Sequence, residues 1–169
     1  MAPWTLKRKS ARVVLLNDLD QIFLINSVDP ADSSKGSWWE LPGGGIDPGE
    51  RSEDTVMREL WEEGGLREAE VGPVIWTQHV EFDFGGYHFD QDEVIHIART
   101  TERTIERPQG LEALEALAFQ GARWWPVPEV VSSTESFLPP SLPTMLPALL
   151  DGRLPSPPLD ISPDGRVGP

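Results

Sequence analysis

Cysteine is absent from the 169-residue chain, so neither a disulfide framework nor a thiolate metal site is available. Positive charge is scarce: 14 Lys and Arg stand against 28 Asp and Glu, a net charge of −14. Nucleic-acid binding rests on neutralising phosphates with Lys and Arg, so this balance argues against a nucleic-acid partner. A phosphorylated small molecule still fits if a bound cation lies between the two negative partners. Long apolar runs are missing too, and no stretch approaches the ~18 residues of a membrane span. Val13 to Leu16, after a basic start, is too short for the core of a signal peptide. There is no G-x-x-x-x-G-K-[ST] phosphate loop, no calcium loop of D-x-[DN]-x-[DN]-G type and no G-x-S-x-G nucleophile setting. His79, His88 and His96 lack close metal spacing and read as strand or loop residues. These absences leave a soluble, cytoplasmic globular enzyme, without internal repeats and without membrane contact.

What is present is a mixed α/β pattern. "ARVVLLNDLDQIFLINS" reads as two strands, 12–17 and 21–26, joined by an Asp-rich turn. "WWEL" is a short strand running into Pro42 and three glycines. Ser52 is a suitable N-cap for a helix to about Glu63, with Glu53 and Asp54 in its first turn. Further strands are expected over 74–82, 93–99 and 122–126, with "GLEALEALAF" a short helix or an irregular approach to the last of them. Trp124 and Trp125 fall on opposite faces of that last strand, so at least one belongs to the core. From about Ser132 proline becomes dense, which divides the chain into a domain over 1–135 and a proline-rich segment over 136–169. That segment holds one helix candidate, 142–150, closed by Gly152, and a poorly ordered or surface-hugging tail of about 15 residues. The run "SLPTMLPALL" suits packing on its own domain or on a second copy, as in a homodimer.

The helix over 52–63 breaks local rules. Glu59, Glu62 and Glu63 crowd its last turn, against the negative end of the helix dipole and against one another. On a helical wheel Val56, Met57, Leu60 and Trp61 share an arc of roughly 140°, the face that packs on the sheet. The three glutamates share a separate, exposed arc of about 100°, and Arg58 lies beside Glu62. Most acidic runs are solvated faces. This one is locally frustrated, and glycines 43–45, able to approach a ligand closely, lead into it. Clustered carboxylates with room for water suit a hard divalent ion, Mg²⁺ or Mn²⁺, which turns repulsion into ligation and supports phosphoryl chemistry on a small molecule.

Gly44, five residues, Glu50, seven residues, then Arg58-Glu59-Leu60-Trp61-Glu62-Glu63-Gly64-Gly65-Leu66 resembles the Nudix box at every defined position. Chance recurrence is on the order of one window in 10⁸. The flanks "WWELPGGG" and "RWWPVPEV" are similar to the strands that bracket the box in that family. The resemblance implies an α-β-α sandwich around a mixed sheet, and hydrolysis of a nucleoside diphosphate linked to another moiety (a nucleoside triphosphate, a nucleotide sugar or an ADP-ribose type). It implies that Glu59 and Glu63 ligate metal directly and Glu62 directly or through water, with the carbonyl of Gly43 or Gly44 adding a ligand. Arg58 is implied to orient the carboxylates with Glu50 as its partner, Leu60 and Leu66 to be core, and Gly44 and Gly45 to meet the substrate. The general base in the family is a box glutamate or a later carboxylate; among Asp90, Asp92 and Glu93, Glu93 is the choice because it opens a strand near the site. Trp38, Trp39, Phe82, Phe84 and Tyr87 are candidates for stacking on a base, with Trp39 preferred. The competing readings are a nucleotide-sensing domain without turnover, which has no need of all three glutamates, and messenger-RNA decapping, which the acidic balance disfavours.

Overall fold

The run Val13-Val14-Leu15-Leu16 has no polar alternation, and a strand of that kind must be covered on both faces. In the computed structural model, which describes residues 4–163, all four side chains are fully buried. Strand β1 (Thr5–Asn17) carries them through the centre of the molecule. The other elements, in chain order, are β2 (Gln21–Val28), β3 (Ser37–Glu40), β4 (Gly43–Gly45), α1 (Ser52–Gly64), β5 (Glu70–Phe84), β6 (Tyr87–Thr100), α2 (Ala113–Ala118), β7 (Phe119–Pro126), α3 (Val127–Ser132), β8 (Phe137–Leu138), α4 (Leu142–Leu150) and β9 (Leu159–Asp160). The sheet is mixed, in the order β8-β3-β2-β1-β6-β5-β9, with β4 paired to β1 and β7 to β2.

The two faces of β1 build two cores. Val14 and Leu16 pack with Ile22, Leu24 and the α4 residues Leu142, Leu146 and Leu149. Ala11, Val13 and Leu15 pack with Phe23, Val56 and Leu60, beneath α1. Trp124 and Trp125 are both core residues, one on each side. Leu142, Leu146 and Leu149 are therefore spent on the chain's own interior rather than offered to a second copy.

One irregularity positions everything that follows. β1 runs parallel to β6 over its whole length, from Thr5 opposite His88 to Asn17 opposite Thr100. Against β2 it pairs only at Leu16 and Ile22. The two strands diverge below that point, and β4 enters the split to pair with Ser10, Ala11 and Arg12.

Several boundaries differ from the sequence-based expectation. The glycine triplet is a strand, because pairing with β1 satisfies its backbone. β5 and β6 extend into a long hairpin ending at Gly85 and Gly86, both with positive φ. Arg51, not Ser52, is the N-cap of α1: Ser52 turns its hydroxyl to His96 Nε2 at 2.8 Å, while the carboxylate of Asp54 accepts from Arg51 N. The last turn ends on Gly65 in the left-handed region, where Gly65 N–H donates to Trp61 O and Leu66 N–H to Leu60 O. The described part of the expected tail lies on the sheet edge: β9 pairs parallel with β5, and Ile161 N–H donates to Thr77 O. The remainder of that tail, 164–169, falls outside the described residues. No helix among the described residues is long and apolar enough to cross a membrane.

Candidate active site

The glutamates of α1 are not on an exposed face. Glu59 is 3% and Glu63 7% exposed, whereas Met57 and Trp61, expected on the sheet, are only half-buried. The reason lies in β4. Its glycines have no side chains, so the strand settles directly over the carboxylates, and a Cβ on Gly44 would strike Glu59 Oε1. Gly43 is equally constrained, with φ of +143° and no room for a Cβ against Ala11 O and Arg12. Its N–H donates to Glu63 Oε1 at 3.2 Å. Leu60 and Leu66 lie in the core as expected.

Arg58 is the hub of the cluster. Its Nε and Nη2 donate to the two oxygens of Glu50 at 2.8 and 3.0 Å. Nη1 donates to Glu59 Oε1 at 3.1 Å and Glu62 Oε2 at 3.2 Å, and Nη2 also reaches Gly45 O at 3.0 Å. The bidentate bond from Arg58, with the Asp47 N–H, holds the Glu50 carboxyl down at about 2. Glu63 behaves oppositely: burial first, then the charge of Glu59, lift its carboxyl well above the usual range. Burial and the charge of Glu59 also raise Glu62. Glu59 Oε2 is buried and has no hydrogen-bond partner among the described residues.

Two residues that the sequence reading passed over stand beside these. Arg12, on β1, donates from Nε to Glu93 Oε1 at 2.7 Å and from Nη1 to Leu41 O at 2.9 Å. Glu115, on α2, lies near enough to Glu59 and Glu62 for their charges to raise its carboxyl after burial has done so, against the lowering bond from the Glu112 N–H. The loop before α2 is tied to α1 by Gln109 N–H donating to Glu62 O and Glu106 N–H to Gly64 O. A lone Arg at the start of an apolar strand was a signal for Arg12. Nothing local marks Glu115, whose position depends on that loop.

Glu93 is 4% exposed and accepts from Ser10 Oγ at 3.0 Å, Gln91 Nε2 at 2.8 Å, Arg12 and Gln78. Burial pushes its carboxyl up, but Arg12 and these donors outweigh it and hold it below the ordinary value. Trp39 is turned away from the cluster, edge-on to Trp125 at 5.2 Å, with its Nε1 donating to Glu135. Strand alternation puts its neighbour Trp38 on the other face, donating to Glu40 and meeting Phe84 edge-on at 6.4 Å. Phe82 stacks on Phe89. Tyr87 is exposed at the start of β6, and His79 on β5 and His88 on β6 are half-buried and pair with acidic neighbours.

No three acidic or histidine side chains among the described residues already close on one point as a metal cage does. The donor set nonetheless suits a hard dication. It offers oxygen donors only, one carboxylate oxygen of Glu59 buried and unsatisfied, and charges in mutual repulsion on Glu59 and Glu63.

Residues 6–148 match the sequence profile of the NUDIX domain. The chain belongs to the Nudix family. Among curated Nudix relatives, an RNA pyrophosphohydrolase of Erythrobacter litoralis is 40% identical over 105 residues, 56% of this chain and 62% of its own. A putative 8-oxo-dGTP diphosphatase of Bacillus subtilis is 39% identical over 61 residues, 36% of this chain and 37% of its own. The matched region thus spans less than two thirds of these relatives. Among solved structures, an ADP-ribose pyrophosphatase of Streptococcus suis superposes with a TM-score of 0.57 at 15% identity, covering 90% of this chain and 97% of that one. A MutT protein of Methanosarcina mazei gives 0.55 at 16% identity, covering 77% and 84%. At these identities the structural likeness speaks for the Nudix fold, the mixed α-β-α sandwich anticipated from the box.

Proposed function

We propose that the chain is a divalent-metal-dependent pyrophosphohydrolase acting on a nucleoside diphosphate linked to another moiety. The observation that carries this reading is the convergence of the buried Glu59 and Glu63 and the half-buried Glu62 with Gly43, Gly44 and Arg58, which leaves a carboxylate oxygen unsatisfied. Glu59 and Glu63 would hold Mg²⁺ or Mn²⁺ directly and Glu62 directly or through water, with the carbonyl of Gly43 or Gly44 as a backbone ligand. When bound, the ion supplies Lewis-acid catalysis and lowers the pKa of coordinated water. Arg58 keeps Glu59 and Glu62 in place, and Glu50 keeps Arg58 in place. The backbone of Gly44 and Gly45 lets phosphate approach without steric obstruction.

The reaction adds water across one P–O–P bridge, so a proton must leave the attacking water as the bridging bond breaks. An acceptor works best when its pKa lies near the working pH. Glu115, raised by burial, meets that requirement better than Glu93, lowered by Arg12. Trp38 and Phe84 replace Trp39 as the aromatic pair proposed to meet a base. The acidic chain favours a small nucleotide over a polynucleotide. The test is phosphate release from a panel of nucleoside triphosphates, nucleotide sugars, ADP-ribose and a 5′-triphosphorylated RNA, with and without Mg²⁺. Mg²⁺-dependent turnover lost in Glu63→Gln is the expected result. Nucleotide binding with no turnover of any substrate would establish a sensing domain instead.

A further inference from the structure

Arg12 occupies the point where β1 leaves β2 and takes β4 as its neighbour. Its side chain is 18% exposed, and it rests against Gly43, where a Cβ would lie only 2.7 Å from Arg12 Cγ. The N–H of that same glycine binds Glu63. Arg12 and the carboxylate cluster therefore flank a single residue. Nε and Nη1 of Arg12 are bound by Glu93 and Leu41 O, while Nη2 has no hydrogen-bond partner among the described residues.

The bland alternative is a buried ion pair that only stabilises the sheet. Such pairs return little stability, because desolvation offsets their attraction. The surroundings are also more elaborate than a stabilising pair requires. Glu93 is immobilised by Ser10 on β1, Gln78 on β5 and Gln91 on β6. This fixes the guanidinium that Glu93 holds, with one donor edge left open. Arg58, bound within the cluster, has no open donor: each of its three nitrogens is taken by Glu50, Glu59, Glu62 or Gly45 O. Arg8, beside Gly45, gives its Nε to Gln91 Oε1 and lies over the Phe89 ring, without the direct bond to Glu93 that fixes Arg12. A pyrophosphate entering so acidic a site carries more negative charge than the carboxylate-bound ion alone offsets. A fixed guanidinium is suited to receive phosphate oxygen.

We propose that Arg12 binds a phosphate of the substrate through its open Nη2, and that Glu93 is the positioning residue that holds Arg12 in place. The assignment rests on the pyrophosphohydrolase reading above. It makes Glu93 act on the substrate through Arg12 rather than as a base.

The probe is methylenediphosphonate, a pyrophosphate mimic that resists hydrolysis, titrated calorimetrically at saturating Mg²⁺. The proteins are wild type, Arg12→Ala, Glu93→Gln and the double variant, each checked for folding by circular dichroism. Arg12→Ala should weaken binding by about tenfold or more, the scale of a charge-assisted hydrogen bond. Glu93→Gln should weaken it several-fold, and should add nothing in the Arg12→Ala background. KM for the best nucleotide of the panel should rise in parallel. Wild-type affinity in folded Arg12→Ala overturns the proposal. So does a Glu93→Gln that lowers kcat with unchanged diphosphonate affinity, additively with Arg12→Ala. If Arg12→Ala leaves Glu93 uncompensated and does not fold, the double variant lacks both charges and must itself bind weakly for the proposal to stand. A wild type that turns over no substrate and binds no diphosphonate removes the functional reading and this one together. Turnover with Arg12 variants of unchanged affinity and KM removes this one alone.

Discussion

Glu63 carries a cost that packing alone does not require. Its carboxylate is buried beside that of Glu59, and among the described residues the one hydrogen-bond donor to it is the Gly43 N–H. Glu63→Gln removes the repulsion and retains an acceptor for that N–H. Without added metal this variant should gain about 1 kcal/mol, a rise of about 2–4 °C in melting temperature for a chain of this size. Its turnover should fall at least about a hundredfold. Scanning calorimetry in chelator checks the first part, and a lower melting point than wild type would contradict it.

Glu50 shows the opposite balance and so sets a pH dependence. Its carboxyl is held at about 2 in the folded protein against an ordinary value of 4.5. A depressed acid contributes stability that is complete above its unfolded value and is lost as pH falls through the folded one. Wild type should therefore exceed Glu50→Gln in stability by a constant margin above about pH 5, and the margin should shrink between about pH 4.5 and 2. Urea unfolding at stepped pH reads this directly. A margin unchanged at pH 3 would mean that the Glu50 carboxyl is not lowered in the folded protein.

At the scale of elements, the decisive piece is β4, three residues long and without side chains. Gly43→Ala forces a Cβ onto Ala11 O at a positive φ that L residues rarely adopt. It should cost upward of about 2 kcal/mol and reduce turnover, since the strand must shift off the carboxylates. Denaturant unfolding with activity measured in parallel tests both effects. For α4, Leu146→Ala empties a fully buried site and should cost about 2–5 kcal/mol in the same assay. A cost near zero would mean that α4 does not hold the domain together.

These elements also show how far the sequence could be read. α1 was legible because periodicity and box spacing are local, although its N-cap is Arg51 rather than Ser52, and α4 because its leucines recur at helical spacing. β4 was not, because three glycines have no intrinsic preference for a strand and pair only where β1 and β2 separate. The burial of Glu59 and Glu63 followed from β4 and was missed with it. A wheel centred on Val56 and Leu60 placed the carboxylates in solvent for want of the strand that covers them. Trp39 was misplaced by one residue of alternation. Which face of β3 meets the site depends on what packs against the other face, and here that is Trp125 and Phe137.

At the scale of the whole molecule, a net charge of −14 repels itself in every conformation but most in the compact one. Raising KCl should stabilise wild type and Glu63→Gln alike, because screening acts on exposed charge regardless of the cluster. Mg²⁺ at matched ionic strength should add a further rise in melting temperature for wild type that is largely absent in Glu63→Gln. Equal responses of the two proteins to Mg²⁺ would reduce its effect to general screening and count against a bound ion.

The sequence by itself determined the family, the helix and the identity of its acidic set, because the box is contiguous and its chemistry is written in residue type and spacing. Tertiary structure alone decided that Glu59 and Glu63 are buried, that Arg12 and Glu93 form a unit beside them and that Glu115 lies within range of the cluster's charge. Each of those facts depends on residues far apart in the chain, 81 positions for Arg12 and Glu93, meeting across β1, β4, β6 and a loop. Such meetings are set by which strands pair and where they separate, and local propensity does not encode that.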